Sequence, residues 1–339
     1  GDTTSHSGQA GMAAFGDEAA ARPAEEDHRA NIFDFFRSHN AFDMLPESGK
    51  VVLLDSSVSA YSAFCIMSAN EQVAVPVWDS RNDQYMGMLT VTDLLELVLM
   101  CHSGKAFDNG CVEGMKDMTL HHWMTSYPRP PGCPDVSVEV HPDDDLMVVL
   151  KTLVRNDSRV LPVLERDVGG EMLQNCLIGQ VSYMLLFRFL YYHEVEDLTT
   201  LSDALSDVGI GTFPADKVFT VQASDSVEHA LSLMSNHGIS GLPVLGEDGT
   251  LTDIFVDTDL LPLTSFALQT TVEKTLQQSR PRQSSGIDSF SCRSTDLLSA
   301  VVTKFAVGKL TRLVCVDADG KVEGVVTLTD LFKFLASNA

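Results

Sequence analysis

Basic residues are scarce in this chain: 23 Lys and Arg stand against 47 Asp and Glu, leaving a formal charge of −24. A protein that grips nucleic acid or an anionic membrane over a broad face needs a basic footprint to release counterions, so the balance excludes both as general partners. Any anionic ligand has to be held by a local pocket. Paired cysteine motifs are also missing. The seven cysteines (65, 101, 111, 133, 176, 292 and 315) are odd in number, scattered and without a CxxC, which argues against a disulfide framework or a zinc site and fits a reducing compartment. No apolar core follows a basic start, and the strongest apolar run, Tyr183 to Tyr192, is short and carries Arg188. The expected location is therefore the cytosol or the nucleus. Neither a glycine loop of the dinucleotide or P-loop type nor a nucleophile motif is present, so the chain reads as a non-enzyme with no catalytic cofactor.

What is there suffices for two domains with real cores, at 339 residues and 44% hydrophobic side chains. Residues 1–30 are rich in Gly, Ala, Ser and Glu, cannot offset the entropy of ordering, and are expected to form a flexible tail. Residues 31–46 differ: Ile32, Phe33, Phe35, Phe36 and Phe42 predict an aromatic amphipathic helix running to Pro46, packed on the first repeat or offered to a partner.

The last thirty residues contain the pattern against which the rest is legible. Leu313 to Asp317 and Val322 to Val326 are β-branched runs joined by the turn pair Asp319-Gly320. Thr327-Leu328-Thr329-Asp330 then opens an apolar helical stretch. A helix start presents unpaired N–H groups that seat a phosphate, threonine hydroxyls can add donors, and the Asp330 carboxylate can accept from the diol of a ribose. Ordinary helix capping explains the same residues, and both readings stand at this point.

One unit, strand, helix, strand, strand, helix, recurs four times, and such a repeat decides a fold more than local propensity does. The copies occupy 47–105, 135–195, 214–266 and 286–339, with connectors 106–134, 196–213 and 267–285. Three copies share a proline turn into the middle strand: Val75-Pro76-Val77, Leu161-Pro162-Val163 and Leu242-Pro243-Val244. The expected fold class is α/β, built of α+β repeats that pair first with second and third with fourth, the two pairs meeting in a pseudo-symmetric disc. His121, His122, Cys133 and His141 match no metal-ligand spacing and read as surface side chains, and Asp143-Asp144-Asp145 reads as helix N-terminal charge.

Four β-α-β-β-α copies with a hydroxyl-x-Asp approach to the last helix resemble CBS domains, which pair into Bateman modules. The resemblance extends to the γ-subunit family of AMP-activated protein kinase through Phe35-Phe36-Arg37-Ser38-His39, Met44-Leu45-Pro46, Trp78-Asp79-Ser80 and Gly87-Met88-Leu89-Thr90-Val91-Thr92-Asp93. It extends further through Gly209-Ile210-Gly211-Thr212, Ser240-Gly241-Leu242-Pro243-Val244 and Arg312-Leu313-Val314-Cys315-Val316-Asp317. The resemblance implies a regulatory subunit that binds AMP, ADP or ATP near the centre of the disc and holds a kinase catalytic (α-type) subunit and a β-type scaffold subunit.

By that resemblance Asp93, Asp259 and Asp330 are ribose carboxylates, with Met184 in the corresponding place of the second copy. Thr90, Thr92, Thr327 and Thr329 supply hydroxyls, Thr212, Ile239 and Ser240 lie near ribose or adenine, Met88 and Leu328 flank the threonines, and Arg312 holds phosphate beside Thr311. The chain departs from the family at Val73, Val160, Gly238 and Thr311, where basic residues are usual, and at Asp257, where a lysine is usual. Arg159, Lys309, Arg280 and Arg282 are the basic residues available to compensate. The alternatives are a γ-like scaffold without nucleotide sensing and a freestanding CBS protein for another adenosyl compound.

Overall fold

Short polar side chains set where the first helix of three repeats begins: Ser59, Asp145 and Ser226 each accept a hydrogen bond from the backbone N–H three residues on. The computed structural model describes residues 23–48, 51–102, 111–127, 138–166, 175–193, 198, 201–262, 268–280 and 286–336. Two helices come first, α1 (Pro23–Ser38) and α2 (Ala41–Met44). The first repeat contains β1 (Leu54–Asp55), α3 (Ala60–Ala69), β2 (Ala74–Asp79), β3 (Gln84–Thr90) and α4 (Val91–His102), followed by α5 (Cys111–Asp117) and α6 (Leu120–Ser126). The second contains α7 (Leu146–Arg155), β4 (Val160–Arg166), β5 (Asn175–Ser182) and α8 (Tyr183–His193). After α9 (Leu205–Val208) the third has β6 (Val221–Gln222), α10 (Val227–His237), β7 (Gly241–Leu245), β8 (Leu251–Val256) and a 3-10 turn over Asp257–Leu260, then α11 (Val272–Ser279). The fourth has β9 (Ser291–Cys292), α12 (Leu298–Gly308), β10 (Arg312–Val316), β11 (Val322–Thr327) and α13 (Leu328–Ala336).

Among the described residues each repeat makes its own small sheet. A short outer strand runs parallel to the middle strand, and the third strand returns antiparallel: β1–β2–β3, β6–β7–β8 and β9–β10–β11. In the second repeat the outer strand is represented, among the described residues, by a parallel bridge between Val140 and Val163. The register of the antiparallel pair slips in all four, after Val77, Val163, Val244 and Cys315. In three of them the slip falls one residue beyond the strand proline, where the missing N–H already weakens the ladder.

The connectors belong to the repeats they dock on. Reciprocal backbone hydrogen bonds join the residues before α2 and α7 (Ala41 N to Asp144 O, Leu146 N to His39 O), before α3 and α6 (Ala60 N to Met118 O, Leu120 N to Val58 O), before α9 and α12 (Leu205 N to Asp296 O, Leu298 N to Asp203 O) and before α10 and α11 (Val227 N to Thr270 O, Val272 N to Asp225 O). A helix preceding each half therefore caps the second repeat of that half, and one in its middle caps the first. The two halves obey the same rule.

The large cores do not follow the order of the chain. One unites α1 with the second and fourth repeats through Phe36, Leu150, Phe187, Phe305 and Phe332. The other unites the first and third through Phe64, Leu97, Leu231 and Phe255. Consecutive repeats meet through their sheets over much smaller apolar clusters, Ala74, Met88 and Val160 in one half and Leu251, Ile254 and Val314 in the other. Sheets pair first with second and third with fourth, while helices tie the halves together.

The N-terminal aromatic helix departs from expectation in three ways. It begins at Pro23, inside the stretch expected to be flexible, and it packs on the second and fourth repeats rather than the first. Phe35 contacts Phe189 and His193, and Phe36 contacts Phe332. Phe42 lies beyond a break at His39 and Asn40 and is 62% exposed. Residues 1–22 and Cys133 lie outside the described residues. Asp145 caps α7 and Asp144 accepts from the His141 N–H, as the helix-start reading of the acidic run requires.

Candidate ligand-binding site

A cavity of about 340 Å³ opens where the four repeats converge, a size within the range of small-molecule sites. The first repeat lends Thr92 and Glu96, the second Asp157 and Arg159, the third Ile239, Ser240 and Asp257, and the fourth Arg312, Thr327, Thr329, Asp330 and Lys333. Thr212 approaches from the connector ahead of the third repeat, and Lys217 and Phe219 from the start of that repeat. Thr212 is brought there by pairing on the edge of β11: its N–H donates to Val325 O at 2.8 Å and its carbonyl accepts from Val325 N at 3.2 Å.

Arg312 is the unusual group. Its Nη2 donates to Ser240 Oγ at 2.8 Å, while its Nε is buried without a hydrogen-bond partner. Burial pushes its pKa down, the Asp257 charge pulls it up and Arg159 adds to the fall. Arg312 as a whole is half-buried, and a buried guanidinium N–H without a partner is costly unless an anion completes it. Close approach to the neighbouring repeat is possible because residue 241 is glycine: a Cβ there would lie 2.0 Å from Arg312 Nη1.

Asp330 faces the same cavity from the start of α13. Its Oδ2 accepts from the Thr327 N–H at 2.9 Å and from Thr327 Oγ1 at 2.7 Å, and its own N–H donates to Thr327 Oγ1 at 3.1 Å. One carboxylate oxygen thus does the capping, which leaves the other for a ligand hydroxyl. Capping and ligand reading are compatible in this residue. Nearby Tyr183 stacks on Phe332, and its buried hydroxyl is pushed up in pKa chiefly by desolvation, so it stays neutral.

Arg159 spans three repeats. Its Nη1 meets Asp257 Oδ2 at 2.7 Å and its Nη2 donates to Thr92 Oγ1 at 2.9 Å. The acidic departure at Asp257 and the basic residue expected to compensate are therefore partners of each other.

Of the residues singled out in the sequence, Thr92, Arg159, Thr212, Ile239, Ser240, Arg312, Thr327, Thr329 and Asp330 come together in this cavity. Six do not line it. Asp93, 1% exposed, is turned into a cap by the N–H and hydroxyl of Thr90, at 2.8 and 2.7 Å. Met88 is buried between the first two sheets, Leu328 is in the core, and Thr311 is exposed, its carbonyl accepting from the Leu328 N–H. Asp259 is held by Arg280, with Nε to Oδ1 at 2.6 Å and Nη2 to Oδ2. The sequence reading missed Glu96, Asp157, Lys217, Phe219 and Lys333. Lys333 had a signal, one helical turn beyond Asp330 on the same face. Lys217 and Phe219 come from a segment placed by tertiary contacts. Among the described residues no group of three or more His, Cys, Asp or Glu is placed to hold a metal ion.

The CBS domain family matches residues 44–100, 207–263 and 287–337, three of the four repeats seen in the structure. Those three repeats match CBS domains. The chain is 26% identical over 332 residues to the γ subunit of 5′-AMP-activated protein kinase of Dictyostelium discoideum, covering 92% of this chain and 54% of that protein. It is 27% identical over 305 residues to the γ-3 subunit of the same kinase from Bos taurus, covering 89% of this chain and 59% of that one. It spans little more than half the length of these curated relatives. Among solved structures, a Methanocaldococcus jannaschii protein described as a candidate archaeal homologue of the kinase γ subunit superposes with a TM-score of 0.66 at 15% identity, over 87% of this chain and 99% of that one. That likeness concerns the fold. The second repeat, which the family model does not match, keeps the α7–β4–β5–α8 arrangement, and the residue in the aspartate position is Leu185 rather than Met184 as expected: its N–H donates to Ser182 Oγ as those of Asp93 and Asp330 do to the hydroxyls of Thr90 and Thr327.

Proposed function

We propose that this CBS-domain chain is a non-catalytic, γ-type regulatory subunit of an AMP-activated protein kinase, sensing adenine nucleotides at the convergence of its repeats. The single observation that carries the reading is Arg312, half-buried at the cavity with a buried, unpartnered Nε and facing the same space as Asp330 and Thr329. In the proposed complex Asp330 accepts from the ribose diol, Arg312 and the threonine hydroxyls take the phosphate, and Ile239 and Thr212 border the adenosine. Lys217 and Lys333 add charge at the cavity, and Phe219, stacked on His237, lines it. Charge-assisted bonds of this kind contribute about 1.5–3 kcal/mol each.

The proposed partners are an α-type catalytic and a β-type scaffold subunit, in keeping with the kinase γ subunits to which the chain is similar. We place the assembly in the cytosol or the nucleus. Calorimetric titration of AMP, ADP and ATP into the purified chain tests the ligand, and co-purification from native extract tests the partners. Binding of AMP together with kinase partners supports the reading. Partners without nucleotide favour a scaffold, and nucleotide without partners favours a freestanding CBS protein. The observation that gives the scaffold some weight is the Arg159–Asp257 pair, which commits one of the few cations at the cavity to a protein carboxylate.

A further inference from the structure

The third and fourth repeats are built alike, and they treat their equivalent aspartates differently. Asp259 and Asp330 both accept at Oδ2 from the backbone N–H three residues earlier, Val256 and Thr327, each at the end of its repeat's third strand. At Asp330 the other oxygen is left to the cavity. At Asp259 both oxygens are taken by Arg280, which leaves the end of α11, crosses to the third repeat's sheet and also donates to the Ile254 carbonyl at 3.0 Å. A second cavity of about 510 Å³ adjoins this arginine, between the third repeat and the fourth, bordered by Asp253, Ile254, Arg280, Phe290 and Leu310. Phe290 and Leu310 hold the places in the fourth repeat that Phe219 and Ile239 hold in the third, where they line the first cavity. The two cavities are thus related by the same repeat symmetry as the two aspartates.

A guanidinium fork presents two parallel N–H donors to a carboxylate, the pattern in which a vicinal diol presents two O–H donors. We infer that Arg280 is an internal occupant of the third repeat's diol site, so that this chain takes one nucleoside-type ligand, at Asp330, and a second only when Arg280 is withdrawn from Asp259. The inference extends the proposed function from which ligand is bound to how many. It also assigns a role to α11 and its end, because Arg280 is carried by the helix that docks on the third repeat. Any partner that pulls on this helix would change the number of sites.

The test is the stoichiometry of adenosine and AMP binding to the whole chain by calorimetry, with the thermal melt of each variant recorded. Wild type is expected to bind one equivalent and Arg280→Gln two. A variant carrying both Arg280→Gln and Asp259→Ala, which relieves the unpaired buried carboxylate, is expected to return to one. Two equivalents on wild type, or one on an Arg280→Gln protein that melts cooperatively, overturn the inference. If wild type binds none and Arg280→Gln binds one, the reading of the fourth repeat fails while the occupancy of the third by Arg280 stands. If neither protein binds, both fall.

Discussion

Arg312 lies across Gly241, with the glycine belonging to β7 of the third repeat and the arginine opening β10 of the fourth, so that a Cβ at position 241 would meet Nη1 at 2.0 Å and Cζ at 2.8 Å. This contact sets where the guanidinium points. Gly241→Ala must move Arg312 away from Ser240, because the side-chain end is the only one of the two that can give. AMP affinity is expected to fall about tenfold, the effect of losing one charge-assisted bond, while adenosine affinity changes little. Titrating both ligands into the variant reads the difference. Equal weakening of both would mean that Gly241 supports adenosine rather than the arginine.

Asp330→Ala and Arg312→Ala should separate the two ends of the ligand. Loss of the carboxylate is expected to weaken AMP and adenosine alike by roughly 1.5–3 kcal/mol, since both carry the diol. Removal of the guanidinium is expected to weaken AMP far more than adenosine. Asp330→Ala also removes a cap, so its melt should drop by about 1 kcal/mol of stability. Unchanged affinity for AMP in Asp330→Ala would place the site elsewhere.

The Arg159–Asp257 pair joins the second repeat to the third, and a double-mutant cycle on unfolding free energy measures it. With Arg159 37% exposed and Asp257 6%, solvent screens one partner, and a coupling of about 1 kcal/mol is expected. A coupling near zero would show that the pair orients the cavity without stabilising it.

Because each large core is shared between the halves, a fragment of residues 40–195 would expose the α4 face that packs on α10 and the α7 and α8 faces that pack on α13. Such surface is of the kind that drives association. Size-exclusion chromatography with circular dichroism should find the fragment aggregated or dimeric rather than a cooperatively folding monomer. A soluble monomer with a sharp melt would show that one half is self-sufficient.

The repeat itself was legible in the sequence, because its signals are local. Proline at the head of the middle strand, glycine or aspartate at turns, and a hydroxyl-x-Asp helix start act within a few residues, and each recurs at the same place in the unit. Half of the candidate site was legible for the same reason: Thr327, Thr329, Asp330 and Arg312 flank one hairpin and line one cavity. What α1 covers was not legible, since an amphipathic stripe states that a face is apolar without naming what it meets. Nor could identical-looking aspartates be told apart. Asp93 is consumed by its cap, Asp259 by Arg280 and only Asp330 reaches the cavity with an oxygen to spare, a difference fixed by burial and by a guanidinium arriving from another element. The sequence by itself determined the unit, its number and the capping chemistry, because these depend on neighbours along the chain. Tertiary structure alone decided which repeats share a core, which arginine keeps an unpartnered N–H at the cavity and which is spent within the protein, because those contacts join residues 21 to 98 positions apart.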